Sequence, residues 1–510
     1  MSESLIAMNR FGLGARGGDT APARPRTWLV DQFARFDAHP AALATAPTSR
    51  AVATELADYQ QQRRTMRQDG TLPPKRAAMA APPSAPMSAM AGAADMMPRG
   101  VGAADGASRG ASPPDDALKQ ARRFARRQSR DDYATLVGLR TNAALTTDAP
   151  FVERLVHFWA NHFAVSADKL TVVGLAGTLE MEAIRPHVLG TFAAMLDAVE
   201  RHPAMLLYLD QAVSVGPDSP LGQRVAQRTA QNGNLRKVGL NENLAREIFE
   251  LHTMGVRTGY TQADVTEFAR AMTGWTVAGL GRGAAAGGGA PGDFRFAPNI
   301  HQPGARMIMG KTYPAGGEAQ AQAVLADIAV HPATATHLAT KLARHFAGDT
   351  PPPAMVERLR TAFLRSGGDL PTVYRAIVDS PEAWVDAPVK FRTPWEWSIA
   401  AYRALGVKQV QPLAVVGLLN QLGQPVWKPG QPVGYDDIAG SWAGPDAVLR
   451  RVEAAERFAT RASETIDART LGTQLFPAAL SPSTTQSLAR AESPGQALAL
   501  LLVSPEMMRR

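Results

Sequence analysis

Residues 241–275 gather carboxylates, amides, an arginine and a histidine at helical spacing. Asn243, Glu247 and Glu250 fall at i, i+4 and i+7, a polar stripe beside the apolar stripe of Leu244, Ile248 and Leu251. Arg246 lies four residues from both Glu242 and Glu250, close enough to hold a carboxylate ionised. Turned inward, Glu247 and Glu250 would bind a cation or act as general base, with His252 near the helix end as ligand or proton carrier. Turned outward, the same residues make a surface Glu-Arg-Glu ladder worth only a few tenths of a kcal/mol per pair.

Other residues with chemical potential lie apart in sequence. In a helix over 151–165, Leu155, Phe158, Trp159 and His162 share one side, whereas His157 sits about 140° of rotation away from His162. The two cannot chelate one metal from a regular helix, because paired ligands need i, i+3 or i+4 spacing. His162 is therefore either a hydrogen-bonded core residue or a single inward-facing ligand. His301, in the loop 299–304, has no helix to account for it and is a residue a site would recruit. Trp427, Pro429, Pro432, Tyr435 and Trp442 interleave rings with turn residues, a pattern that either stacks a sugar or a peptide or, more often, seals a core between helices. The tentative catalytic set is thus Glu247, Glu250, His162 and His301.

The elements that would position these groups are mainly helical. Ala, Leu, Arg and Gln recur, and aromatics make up 6 % of the 510 residues, a composition that favours helix over sheet. Five regions are expected: an N-terminal helical segment (1–69), a disordered insert rich in Pro, Ala, Gly and Met (70–115), a helical core (116–278), a Gly-rich loop with one small β-hairpin near 294–313 (279–319), and a C-terminal helical region packing on the core (320–510). The insert lacks aromatic residues and has few large aliphatics, so it cannot offset its ordering entropy. Two helix starts are well marked. Thr261 with Asp264, and Thr393 with Pro394 and Glu396, have the form of capping boxes, which makes Asp264 a cap partner rather than a catalyst.

Composition narrows the chemistry further. With no cysteine, thiolate metal sites, disulfides and thiol catalysis are excluded. Any metal would use His and carboxylate ligands, and the Glu/His set admits a divalent cation. The formal charge of +8 arises from 54 basic and 46 acidic residues, a mild excess that gives no strong nucleic-acid signal. Lys119, Arg122, Arg123, Arg126, Arg127 and Arg130 are best read as a solvated helix face. No run approaches the roughly 18 apolar residues of a membrane span. Residues 1–10 lack a leader pattern, so a cytoplasmic protein is expected.

Several blocks carry a family resemblance. They are His157-Phe158-Trp159-Ala160-Asn161-His162-Phe163, Arg185-Pro186-His187, the run from Pro203 to Asp210, Asn241-Glu242-Asn243, Gly259-Tyr260-Thr261 and Thr273-Gly274-Trp275. In this order the chain resembles the bacterial family known as domain of unknown function 1800, from Asn9-Arg10-Phe11-Gly12 to Ser504-Pro505-Glu506. The resemblance implies no particular reaction. It implies relatives that are often exported and often encoded beside a family resembling sulfatases and alkaline phosphatases, which suggests a protein partner of that kind. The chain departs from the pattern at Gln211, Gln302 and Arg306, where Asn, an acid and Lys are usual. Some relatives carry Phe at the position of His252, which shifts weight onto Asn241, Glu242, Asn243, Arg246, Glu247 and Glu250. Asp210, His252 and Trp275 complete the candidate binding residues.

Two readings follow. In one, a metal-dependent or hydrolase-like enzyme gathers His162, Glu247, Glu250 and His301 in a pocket. In the other, a non-catalytic binding or scaffold protein uses the Asn-Glu-Asn-x-x-Arg-Glu block as a structural polar network.

Overall fold

A computed structural model describes the chain except for residues 69–112, 233–238 and 282–287, and except for the side chains of residues 67, 113–121 and 232. Most of the insert expected to be disordered, and part of the Gly-rich loop, lie outside the described residues. The Pro113–Thr146 helix takes up the last three residues of that insert. Its exposed face carries Arg122, Arg123, Arg126, Arg127 and Arg130.

The protein is mainly α-helical, as its composition predicts. Many helices carry proline in their first turn, where the missing N–H costs nothing, and several of these are preceded by a capping side chain. Both predicted capping boxes are present, at Thr261/Asp264 and Thr393/Glu396. Asp264 also accepts a hydrogen bond from the Met309 N–H at 2.6 Å, tying its helix to the β-hairpin. That hairpin pairs β3 (Arg306–Ile308) with β4 (Lys311–Tyr313). A second antiparallel pair, β1 (Trp275–Val277) with β2 (Phe294–Phe296), was not predicted. Its two three-residue strands are separated by the Gly-rich stretch, so no short turn signal announces them. No helix among the described residues is long and apolar enough to cross a membrane.

Two large apolar cores organise the helices. One runs from Ile6 and Phe11 through the middle of the chain to Trp395 and Trp427, and the other joins Leu5 and Trp397 to the helices between Pro445 and Met508. Phe11, Phe151 and Phe346 pack ring against ring, with centroids 5.5–5.7 Å apart, and so lock the Pro150–His162 and Pro332–Ala347 helices side by side. The Trp159 indole N–H donates to the Tyr374 hydroxyl at 2.6 Å beneath them. Three π-helical turns, Ala7–Phe11, Glu180–Ile184 and Ile248–His252, interrupt the helices near these blocks. Such turns rotate side chains out of the regular register. In the third, the rotation leaves Ile248, Phe249 and His252 buried while Glu247 and Glu250 stay partly exposed.

Candidate functional site

The two locked helices, the start of the Pro394–Ala404 helix and the segment 424–437 enclose a cavity of about 220 Å³. The Pro150–His162 helix contributes Arg154, His157, Asn161 and His162, and the Pro332–Ala347 helix contributes Lys341, Arg344 and His345. Trp395, Trp427 and Tyr435 form aromatic walls, and Arg140 enters from the long Pro113–Thr146 helix.

The segment 424–437 is tied down along its length. Asn161 and Tyr435 exchange two hydrogen bonds of 2.8 Å, the Asn161 amide N–H to the Tyr435 carbonyl and the Tyr435 N–H to the Asn161 Oδ1. The Tyr133 hydroxyl donates to the Val426 carbonyl at 2.7 Å, and the Ala167 N–H donates to the Trp427 carbonyl at 2.9 Å. Gly434 has φ +80°, and a Cβ there would sit 2.3 Å from the Asn161 carbonyl oxygen. Only glycine meets both conditions.

Of the acidic groups lining the site, exposed Asp436 accepts from the Ser441 hydroxyl at 2.7 Å, and Glu396 and Asp437 are engaged more fully. Burial by itself would raise the pKa of Glu396, but Arg510 and Arg154 outweigh it and hold the carboxyl well below its usual range. Arg510 lies 2.9 Å from Glu396 Oε1, Arg154 contacts the same oxygen, and Oε2 accepts the Thr393 N–H at 3.0 Å. Asp437 is likewise held ionised against burial by His345 and Lys390. Its Oδ2 lies 2.8 Å from His345 Nδ1, and its Oδ1 lies 3.1 Å from Lys390 Nζ. Burial pushes His345 down to about 4, so its imidazole is neutral near pH 7. The Nδ1 proton therefore goes to Asp437, and Nε2 presents a lone pair to the Arg154 and Arg510 guanidinium groups at 3.5 Å. Glu180 accepts from both the Arg140 Nε–H and the Trp427 indole N–H at 2.9 Å. Arg140 itself stacks 4.1 Å over the Trp395 ring.

The basic groups are less fully engaged. Lys341 has no hydrogen-bond or ion-pair partner among the described residues. Burial lowers its pKa to about 8, with Asp437 opposing that shift and Arg344 adding to it. The Arg344 Nε–H reaches the Asp349 carbonyl at 3.3 Å, and its terminal N–H groups have no acceptor among the described residues. The cavity thus has a surplus of donors.

Of the residues singled out from sequence, the structure brings His162 beside His252, with ring centroids 6.4 Å apart, and joins Glu242 and Glu250 through Arg246. His162 lines the cavity, while Glu247, Glu250 and His301 do not. The His162 Nε2–H donates to the His252 carbonyl at 3.0 Å, its Nδ1 is buried without a partner, and burial with nearby Lys341 and His337 holds its pKa well below the usual value. His252 is fully buried, with its Nδ1 2.8 Å from Glu200 Oε1. The His301 Nδ1–H donates to the Thr273 carbonyl at 2.7 Å. Asn241 donates to the Leu209 carbonyl and accepts from the Asn243 N–H, which makes it a local helix-entry residue. Glu242 accepts from Thr266, Gln262 and Arg246. Arg246 also lies 3.7 Å from Glu250, each group being partly exposed. Glu247 is half-buried, and burial raises its pKa, helped by Glu250 and opposed by His252 and Arg246. Asp210, in a left-handed turn at φ +58°, pairs with Lys169 at 2.9 Å. The Trp275 indole nitrogen is buried without a partner. Among the described residues, no group of three or more His, Asp and Glu side chains is arranged to hold a metal ion.

A family model described as "Protein of unknown function (DUF1800)" matches residues 6–509. The chain belongs to that family. No curated protein and no solved structure matches it. Within the matched range, the segment from His157 to Phe163 lines the cavity through His157, Asn161 and His162. Sequence reasoning passed over Lys341, His345, Arg154, Glu396 and Asp437. One signal was available: His337, Lys341 and His345 recur at i, i+4 and i+8, a titratable stripe on a helix whose other residues are mostly Ala, Leu and Thr.

Proposed function

We propose that this protein binds a small organic anion, a carboxylate or phosphate ester with a flat apolar part, in the cavity beneath residues 424–437. One observation carries the reading: the Glu396 and Asp437 carboxylates are engaged by cations of the protein, whereas, among the described residues, the Lys341 ammonium and the outer N–H groups of Arg344 have no partner. A ligand that brings acceptors and negative charge satisfies these donors, since a desolvated cation without a partner is costly. Trp395 and Trp427 offer rings against which the apolar part stacks. The volume suits a compact ligand.

The hydrolase-like reading moves with the site, from Glu247, Glu250 and His301 to the walls around His162. For the block opened by Asn241, the structural-network reading has the better support. Glu242 accepts three hydrogen bonds, from Thr266, Gln262 and Arg246, and thereby ties its own helix entry to the Gln262–Met272 helix.

Tryptophan fluorescence and calorimetry test the proposal. Benzoate and phenyl phosphate are titrated beside neutral benzamide. Saturable quenching by the anions, weakened at least tenfold in Lys341→Met, is expected. Equal response to benzamide, or anion binding indifferent to Lys341→Met, overturns it.

A further inference from the structure

Lys341 stands in the middle of the titratable stripe of the Pro332–Ala347 helix, one turn from His337 and one turn from His345. Each neighbour is committed elsewhere: the His337 Nε2–H to the Leu251 carbonyl at 3.2 Å, and the His345 Nδ1–H to Asp437 at 2.8 Å. Lys341 lines the cavity with no such commitment, and it is partly exposed rather than sealed. An amine free of salt bridges, set beside the Arg344 guanidinium and apolar walls with Asp437 opposing, has surroundings that make a lysine nucleophilic.

We infer that Lys341 is the nucleophile of a carbonyl site, forming an imine with a small 2-oxo acid whose carboxylate is held by Arg344. The inference rests on the anion-binding reading and names the substrate class of the same cavity. The neutral amine lone pair forms the C–N bond while the carbonyl π pair moves to oxygen. That oxygen takes one hydrogen from the nitrogen and one proton from solvent and leaves as water. The product is a protonated imine, and no oxidant or reductant is consumed. The groups that set the charge around the amine are Asp437 on the segment 424–437, Arg344, His337 and His345 on its own helix, and His162 on the facing helix. Both His162 and His337 are held neutral at pH 7, His337 with its pKa near 4. An amine that titrates near 8 has a substantial neutral fraction there, whereas an exposed lysine has almost none.

Pyruvate with sodium cyanoborohydride probes the full-length protein, read by intact mass and peptide mapping. A reduced adduct should form at Lys341 at least tenfold faster than at exposed Lys408, with a rate that rises with pH to a midpoint near 8. Lactate, which carries the carboxylate without the carbonyl, should slow it. Lys341→Arg, which has no nucleophilic amine, should form no adduct in the cavity. Labelling at Lys341 no faster than at Lys408, with lactate quenching intact, overturns the imine and leaves anion binding standing. If neither pyruvate nor lactate quenches and no adduct forms, both readings fall. The wild-type rates alone decide the question should Lys341→Arg not fold.

Discussion

Asn161 and Tyr435 face each other across 274 residues of sequence through two reciprocal 2.8 Å hydrogen bonds, and this pairing converts an irregular Pro- and Gly-rich stretch into one wall of a cavity. Backbone that leaves secondary structure must have its polar groups satisfied elsewhere. A single side-chain amide supplies both donor and acceptor, so the position of the wall is coupled to the Pro150–His162 helix.

The φ of +80° at Gly434 and its close approach to Asn161 exclude a side chain there. Gly434→Ala should cost about 2 kcal/mol or more, from backbone strain and displacement of the Asn161 contact. Urea unfolding measures the stability loss. A cost below about 0.5 kcal/mol would show that the segment is not held as described.

His252 and Glu200 form a pair shielded from solvent on both sides. Removing one partner strands the other, so His252→Phe should destabilise by about 3–5 kcal/mol. The double variant Glu200→Leu/His252→Phe should recover most of that loss, because two apolar groups replace two polar ones. Non-additivity in a double-mutant cycle is the readout.

His345 gives a pH dependence of defined sign. Its folded pKa, about 4, lies below the ordinary value of 6.5. As pH falls from 6.5 to 4, the unfolded chain takes up a proton that the folded protein refuses, and stability is lost by an amount on the order of 3 kcal/mol. Above pH 6.5 this contribution is fully present. His345→Asn, which keeps an N–H for Asp437, should flatten that part of the stability–pH curve.

Glu396 acts in a lower window. Arg510 and Arg154 hold its carboxyl well below 4.5 against the opposing effect of burial. The stabilisation is therefore present above pH 4.5 and lost as the medium becomes more acidic than that. Glu396→Gln should be less stable than wild type at pH 7 and should approach it as pH falls through this range. Parallel curves for the two proteins would contradict the assignment.

Arg246 should matter little. It is partly exposed, and its contacts with Glu242 and Glu250 are 3.3 and 3.7 Å, so Arg246→Ala should cost no more than about 1 kcal/mol. A loss several times larger, read by thermal unfolding, would make the block a buried charge network instead.

Local rules were legible before any coordinates. The capping boxes at Thr261 and Thr393 and the helical character of the chain depend on neighbours a few residues apart, and each appears where its signal lies. The β1–β2 pair was not legible, because its strands are three residues long and far apart. The polar stripe of Asn243, Glu247 and Glu250 was legible as a pattern but not as a place. A π-helical turn beginning at Ile248 changes the register from which its inward face was inferred.

Sequence alone determined that this is a cysteine-free, mainly helical DUF1800 protein with well-punctuated helices, because composition, periodicity and caps act over one or two turns. Tertiary structure decided which polar residues meet. Arg154, Lys341, Glu396 and Asp437 come from four parts of the chain, and their charges are set by burial and by one another. Neither burial nor mutual distance is written in local spacing; both appear only when the Phe11, Phe151 and Phe346 rings pack the helices together.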